Sequence, residues 1–268
     1  NVDNRKFPHD VFIPLRDLHG AQNGQKVLVK INDWPDTMKN PGGEIVDVLG
    51  TPGDNNTEMH AILAEFDLPY TYPKEVEEAA DRIPEELPAE EIAARRDFRG
   101  IATFTIDPTD AKDFDDALSM RRLPNGNIEV GVHIADVTYY VHPGDIIDTE
   151  AQNRSTSVYF VDLTIPMLPE RLSNGLCSLR PNEEKFCFSA VFELNEEAQV
   201  QNEWFGRTVI LSDRRFTYDE AQQVIETGEG DMRDEIITLN ALARKLRAER
   251  FRNGAISFER EEAKFDLD

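Results

Sequence analysis

The chain has 268 residues, of which 40% are hydrophobic and 30% charged, a balance typical of a globular protein. Its 29 lysines and arginines are outnumbered by 52 aspartates and glutamates, which gives a formal net charge of −23. This excess argues against a simple basic nucleic-acid binder. No apolar run approaches the roughly 18 residues that a membrane span needs, and the two cysteines cannot make a disulfide framework. We therefore expect a cytoplasmic protein with no membrane anchor.

The first 70 residues predict a small antiparallel β-structure. Short apolar strands are expected at 10–15, 26–31 and 43–50, and the segments between them are rich in the residues that turns require. A five-stranded barrel of the oligonucleotide-binding type needs about two more strands. We therefore expect a truncated barrel, with its beginning missing.

A helical stretch follows the barrel. Residues 57–66 predict a helix with Thr57 as its N-cap. The acidic segment 71–97 is helix-prone but interrupted by Pro84 and Pro88, which break helices. We interpret this segment as a linker made of short helices.

Residues 98–268 predict a second, β-rich domain with flanking helices. β-Branched and aromatic residues favour strands at 100–106, 127–137, 156–161, 185–194 and 204–212. The fold class is therefore α+β: a truncated cold-shock or OB-type β-barrel followed by a mixed β-sheet domain.

The end of the chain predicts two helices and a strand. Thr217 and Glu220 form a capping-box pattern at the start of the first helix. The second helix extends from about Arg233 to Arg252 and is closed by Gly254. A strand is expected over 255–259.

The most informative segment is TIDPTDAKDFDDALS at 105–119, in which five aspartates occupy the ten positions from 107 to 116. A strand leads to Asp107, and Pro108 favours a turn directly after it. Clustered carboxylates repel one another and raise one another's pKa values unless cations neutralise them. Oxygen donors alone suit Mg²⁺, Mn²⁺ or Ca²⁺ rather than zinc. The segment therefore predicts a divalent-metal site.

Two other interpretations of this segment are a calcium-binding loop and an Asp-rich turn. A helix-loop-helix calcium loop that started at Asp113 would place Leu118 where Gly is needed and Pro124 where Glu is needed, so this pattern fails. An Asp-rich turn whose side chains cap the backbone remains open on the spacing alone.

Further motifs follow this segment in a fixed order. TIDPTDAKDFDDAL, VHIADVTYYV, NRSTSVYF and TIPMLPERLSNGLCSLRP together resemble the catalytic domain of the bacterial ribonuclease R and ribonuclease II family. The resemblance continues through GAISFEREEAKF at 254–265. FIPLRDLHGAQNGQKVLVKI and GEIVDVLG resemble the second cold-shock-type barrel found in this family. The resemblance covers effectively the whole chain.

The resemblance implies a processive exoribonuclease that hydrolyses RNA from the 3′ end to nucleoside 5′-monophosphates with Mg²⁺, for which Mn²⁺ could substitute. The four family aspartates fall on Asp107, Asp113, Asp115 and Asp116. We expect Asp107 and Asp116 to be direct metal ligands, Asp113 to complete the metal environment, and Asp115 to be the most critical for cleavage. Asp110 matches no family position and is interpreted as a turn residue.

Two residues are predicted to bind substrate. The resemblance places on Tyr159 a tyrosine that packs against the 3′-terminal nucleotide, whereas a strand tyrosine without the resemblance is more often a core residue. Arg180 lies in a predicted loop and would either contact phosphate or balance Glu183 and Glu184.

Histidine and cysteine side chains are predicted to be structural. His133 lies between apolar strand residues, and neither His133 nor His142 is assigned a catalytic role. Cys177 and Cys187 lie in apolar company and are expected to be inert packing residues.

The implied partner is the 3′ end of a single-stranded RNA, with no small-molecule cofactor, and we expect a monomer. The chain stops before a phosphate-contacting arginine and an S1 barrel that the family carries, so we expect a fragment that binds metal weakly and is inactive alone. A non-catalytic RNA-binding or assembly module is the alternative. Such a module need not keep the four aspartates.

Overall fold

The computed structural model describes residues 2–3, 6–160 and 164–257. The chain divides into two compact units, Asn1–Tyr72 and Pro73–Asp268. Within the described ranges, no helix has both the length and the apolar character needed to cross a bilayer.

The first unit contains a β-hairpin and a helix. Strands β1 (Lys26–Asp33) and β2 (Gly42–Gly50) pair antiparallel, and helix α1 (Asn55–Glu65) follows. Of the predicted strand at 10–15, only Phe12 makes a β-bridge, and a 3-10 turn begins at Leu15. Pro14 explains the difference, because proline has no N–H to donate to a ladder.

Thr57 is not the N-cap of α1, contrary to the sequence prediction. The helix begins two residues earlier and Asp54 occupies the N-cap position. Thr57 is buried instead, and its hydroxyl lies 3.3 Å from the carbonyl oxygen of Leu49 in β2. The threonine therefore contributes to the contact between helix and hairpin, which a local capping pattern cannot reveal.

The second unit is built on nine strands and six α-helices in its described residues. The strands are β3 (Arg96–Asp97), β4 (Thr103–Asp107), β5 (Asp116–Arg122), β6 (Ile128–Ala135), β7 (Val158–Tyr159), β8 (Thr164–Ile165), β9 (Glu184–Leu194), β10 (Val200–Leu211) and β11 (Arg214–Thr217). The helices are α2 (Lys74–Asp81), α3 (Ala89–Ala94), α4 (Val137–Tyr140), α5 (Ile146–Arg154), α6 (Tyr218–Thr227) and α7 (Arg233–Arg252). A π-helical turn spans Arg171–Leu176.

Seven of these strands form one mixed sheet in the order β11-β4-β5-β6-β9-β10-β3. β11 runs parallel to β4 and β3 parallel to β10, while the central pairs are antiparallel. Helices α6 and α7 pack on one face, where Phe104 and Phe216 form the centre of an apolar cluster with Ile236. The α+β prediction with a mixed sheet is confirmed.

Polar groups are buried within the sheet as a hydrogen-bonded chain. The ring of His133 lies 2.8 Å from Ser119 Oγ and 2.7 Å from Ser189 Oγ, and Ser189 Oγ lies 2.6 Å from Thr208 Oγ1. All four residues are essentially inaccessible. A side chain at Gly131 would clash with both Ser119 and His133, so glycine is required beside this chain.

A buried ion pair lies next to these hydrogen-bonded residues and fixes the end of β6. The Arg95 guanidinium lies 2.8 Å from Asp136 Oδ2 and 4.0 Å from the centre of the Phe186 ring. Both charged side chains are almost completely buried. Because separating such a pair leaves an uncompensated charge in the interior, it constrains the end of β6 strongly.

Several predicted boundaries are corrected. β5 and β11 are strands that the sequence did not indicate, and the expected strand at 156–161 is reduced to Val158–Tyr159, with Val161 outside the described residues. Of the expected strand at 255–259, the first three residues are not extended in a sheet and the rest lie outside the described residues. The Thr217 capping box and the helix at 233–252 are confirmed.

Candidate active site

The aspartate cluster lies in the connection between two neighbouring strands. β4 ends at Asp107 and β5 begins at Asp116, and the two strands pair antiparallel only through Thr103 and Phe104. Asp107 and Asp116 therefore lie at the same end of the sheet. The intervening turn, in which the Ala111 N–H donates to the Pro108 carbonyl, contains the other aspartates.

This connection is held in place by hydrogen bonds to Ser178. The Ser178 hydroxyl donates to the Lys112 carbonyl at 2.8 Å and accepts from the Phe114 N–H at 3.1 Å. The Ala135 N–H donates to the Asp115 carbonyl at 3.0 Å. Ser178 is completely buried, so its contacts fix the backbone on both sides of Asp113. The sequence alone did not predict this role of Ser178, although the residue lies in the motif TIPMLPERLSNGLCSLRP.

Four of the six predicted site residues line one pocket, namely Asp107, Asp113, Asp115 and Tyr159. Asp116 and Arg180 are not among the residues that line it. The Tyr159 hydroxyl donates to Asp113 Oδ2 at 3.3 Å, while the residue itself is 66% exposed. Tyr159 is thus not a core residue, although most tyrosines in strands are.

The electrostatics of the pocket reflect crowded carboxylates. Burial is the largest cause that raises the pKa of Asp107, and the charge of Asp116 adds to it, while the nearby Thr105 side chain and the charge of Arg215 oppose this shift. Desolvation and the charges of Asp113 and Asp116 raise the pKa of Asp115, although that residue keeps solvent contact. A bound cation would relieve both effects, because it favours the ionised carboxylates.

The donor chemistry of the cluster fits a hard divalent cation. Oδ2 of Asp107 is buried and makes no hydrogen bond to the residues that the structure describes, which is costly unless another group satisfies it. Within the described residues, however, no three His, Cys, Asp or Glu side chains come together as a closed ligand set. Water and substrate oxygens would therefore have to complete the coordination, as is usual for Mg²⁺.

Arg180 does not line the acidic pocket. It lines a neighbouring pocket with Glu183 and Lys185, and its guanidinium lies 3.7 Å from Glu183 Oε1. Glu170 and Asn174 line both pockets and therefore lie between them. A contact of Arg180 with substrate stays a prediction.

The histidines and cysteines lie away from the pocket lining. Burial lowers the pKa of His133 to about 4, so its ring is neutral at physiological pH. Cys177 and Cys187 are buried free thiols, and burial raises the pKa of Cys177 to about 12. Such thiols are poor nucleophiles, because the thiolate is the reactive form.

Comparison with known families agrees with this geometry. A family model described as RNB domain matches residues 95–268, and one described as a cold shock domain matches residues 1–73. The chain belongs to the RNB ribonuclease family. The whole aspartate cluster and Tyr159 lie within the RNB match.

Individual RNB relatives are longer than this chain. This chain is 40% identical over 272 residues to ribonuclease R 1 of Lactococcus lactis, and the match covers 97% of this chain and 33% of that protein. The structure of Mycoplasma genitalium RNase R with ribose-methylated single-stranded RNA matches with a TM-score of 0.86 and 26% identity, covering 97% of this chain and 42% of that one. The structure of yeast Ssd1, described as a pseudonuclease, matches with a TM-score of 0.69 and 24% identity, covering 94% of this chain and 32% of Ssd1. At this identity the match shows a similar fold and nothing more.

Proposed function

We propose that the protein carrying this chain is an exoribonuclease that degrades single-stranded RNA processively from the 3′ end to nucleoside 5′-monophosphates. Membership of the RNB family supports ribonuclease chemistry. The chain spans about a third of the length of the Lactococcus lactis relative, so the activity proposed is that of the full-length protein.

One observation carries the proposal. Asp107, Asp113 and Asp115 line a single open pocket, and Asp116 lies at the same sheet end as Asp107. Carboxylates held close together repel one another, and Asp107, the buried member of the cluster, also bears a cost of desolvation, so the cluster is expensive to maintain for stability alone. Their convergence at a pocket is instead typical of a site that binds a charged ligand.

The residues have separable roles in this proposal. Asp107 and Asp116, at the ends of two strands, would be the direct ligands of Mg²⁺ or Mn²⁺, and Asp113 would complete the metal environment. When bound, the cation would activate the attacking water and stabilise the leaving 3′-oxygen. Asp115 would orient the water and accept its proton. The exposed ring of Tyr159 would stack on the terminal base, a contact that tolerates any sequence.

A non-catalytic RNA-binding module is the second candidate. The likeness to a pseudonuclease indicates that fold alone does not decide between the two functions. The retained aspartates favour catalysis, because a binding module gains nothing from repelling a phosphate backbone with carboxylates.

The two candidates are distinguished by paired variants of the full-length protein. Asp115→Asn should lower RNA cleavage about a hundredfold or more while RNA affinity stays within about twofold, because a group is lost from the chemical centre only. Asp110→Asn is the matched control: Asp110 lines the same pocket but matches no family position. Full activity of Asp115→Asn, or equal losses in both variants, would refute the assignment.

A further inference from the structure

The π-helical turn Arg171–Leu176 forms a wall of the pocket that Arg180 lines, and its Asn174 also lines the acidic pocket. Turns of this kind are rare and are frequently found at functional sites. The Cys177 N–H donates to the Leu172 carbonyl at 2.9 Å, which closes the wide turn. Asn174 lies in this turn and lines the acidic pocket.

The turn is fixed by two long side chains, Lys185 from β9 and Arg171 from the turn itself. Lys185 Nζ donates to the Gly175 carbonyl at 2.8 Å. Arg171 donates to the Ala80 carbonyl at 3.1 Å and to the Ile83 carbonyl at 2.7 Å. Leu172 is completely buried beneath it. A wall anchored on both sides presents its side chains in one orientation, which a selective contact requires.

The Asn174 side chain has hydrogen-bonding capacity that the described part of the chain does not use. Its amide makes no hydrogen bond to the residues that the structure describes, although it is only half-exposed. Among the described residues that line the acidic pocket, it is the only carboxamide. A half-buried amide that forms no hydrogen bond to the described residues has both donor and acceptor capacity available for a ligand.

We propose, resting on the ribonuclease function above, that Asn174 is a specificity-determining residue that recognises a ribose 2′-hydroxyl of the RNA in the acidic pocket. A 2′-hydroxyl both donates and accepts, which matches a carboxamide, and it is the group that distinguishes RNA from DNA. Phosphate oxygens only accept and are better matched by cations. A neutral amide also adds no further charge to a pocket that already contains Asp107, Asp113 and Asp115.

The test measures how each protein variant binds two RNAs that differ in their 2′-hydroxyl groups. Asn174→Ala and Asn174→Asp are made in the full-length protein, each also in an Asp115→Asn background so that binding is measured without cleavage. Ser173→Ala is the matched control, because Ser173 lies in the same turn but does not line the acidic pocket. The substrates are one single-stranded RNA and the same RNA with 2′-deoxyribose at its three 3′-terminal positions.

Asn174→Ala should weaken binding of the all-ribose RNA roughly three- to tenfold, the range of one lost hydrogen bond. It should leave binding of the deoxy-terminated RNA unchanged, so that the discrimination between the two substrates disappears. Ser173→Ala should keep the wild-type discrimination. Equal weakening on both substrates, no weakening on either, or a wild type that does not distinguish them would overturn the proposal. Because binding is read without turnover, an inactive wild type would refute the exonuclease function without obscuring this result.

Discussion

Tyr159 combines two chemically separate groups at the pocket. Its hydroxyl donates to Asp113, and its ring is largely exposed, as a base-stacking surface must be. Stacking on a base is worth about 1–3 kcal/mol, whereas a hydrogen bond 3.3 Å long at an exposed position contributes less. The ring rather than the hydroxyl should therefore carry the contact with RNA.

We predict that Tyr159→Ala weakens the hold on the last nucleotides and lengthens the end product of degradation, while Tyr159→Phe leaves the product nearly unchanged. Gel analysis of the limit products from a 5′-labelled RNA checks this. If Ala and Phe shift the product equally, the hydroxyl and not the ring is the important group. An unchanged ladder in both would remove Tyr159 from the substrate site.

At the scale of elements, the hydrogen-bonded chain through His133 ties together β5, β6, β9 and β10. Sequence patterning predicted β6, β9 and β10 well, because their β-branched and aromatic residues are typical of strands. It did not indicate β5, because the polar Ser119 is not expected at a buried strand position. Its hydroxyl is satisfied there by His133 of β6. Local sequence cannot reveal polar residues that are satisfied across a sheet.

The same histidine predicts a pH dependence of stability. In the folded chain the pKa of His133 is lowered to about 4 from an ordinary value of 6.5. The unfolded chain therefore takes up a proton first as the pH falls, and stability declines from about pH 6.5 towards pH 4. Between pH 7 and pH 5 this histidine should cost about 2 kcal/mol of unfolding free energy.

Urea unfolding at pH 7 and pH 5 measures this cost by comparison with His133→Gln, which removes the titrating group. His142→Gln controls for the loss of a histidine outside the chain of hydrogen bonds. The wild type and the control should lose about 2 kcal/mol more than His133→Gln over this pH range. An equal pH dependence in all three proteins would show that His133 does not control it.

At the scale of the whole molecule, the sequence predicted which residues would lie together better than it predicted how the fold brings them together. The aspartate spacing and the position of Tyr159 came from motifs, and four of these residues line one pocket. Ser178 could not be recognised in advance, because it contacts the cluster from about 60 residues further along the chain through the fold of the sheet. Arg180, predicted from the same motif, lies in the neighbouring pocket.

The central claim, metal-dependent degradation of RNA from its 3′ end, is tested most directly with the full-length protein and one single-stranded RNA labelled separately at each end. With Mg²⁺, the 3′-labelled RNA should release labelled mononucleotide from the first time point, while the 5′-labelled RNA shortens to a small end product. Removing the metal with a chelator should stop both reactions. Labelled internal fragments, release from the 5′ end first, or degradation that persists without divalent metal would contradict the account.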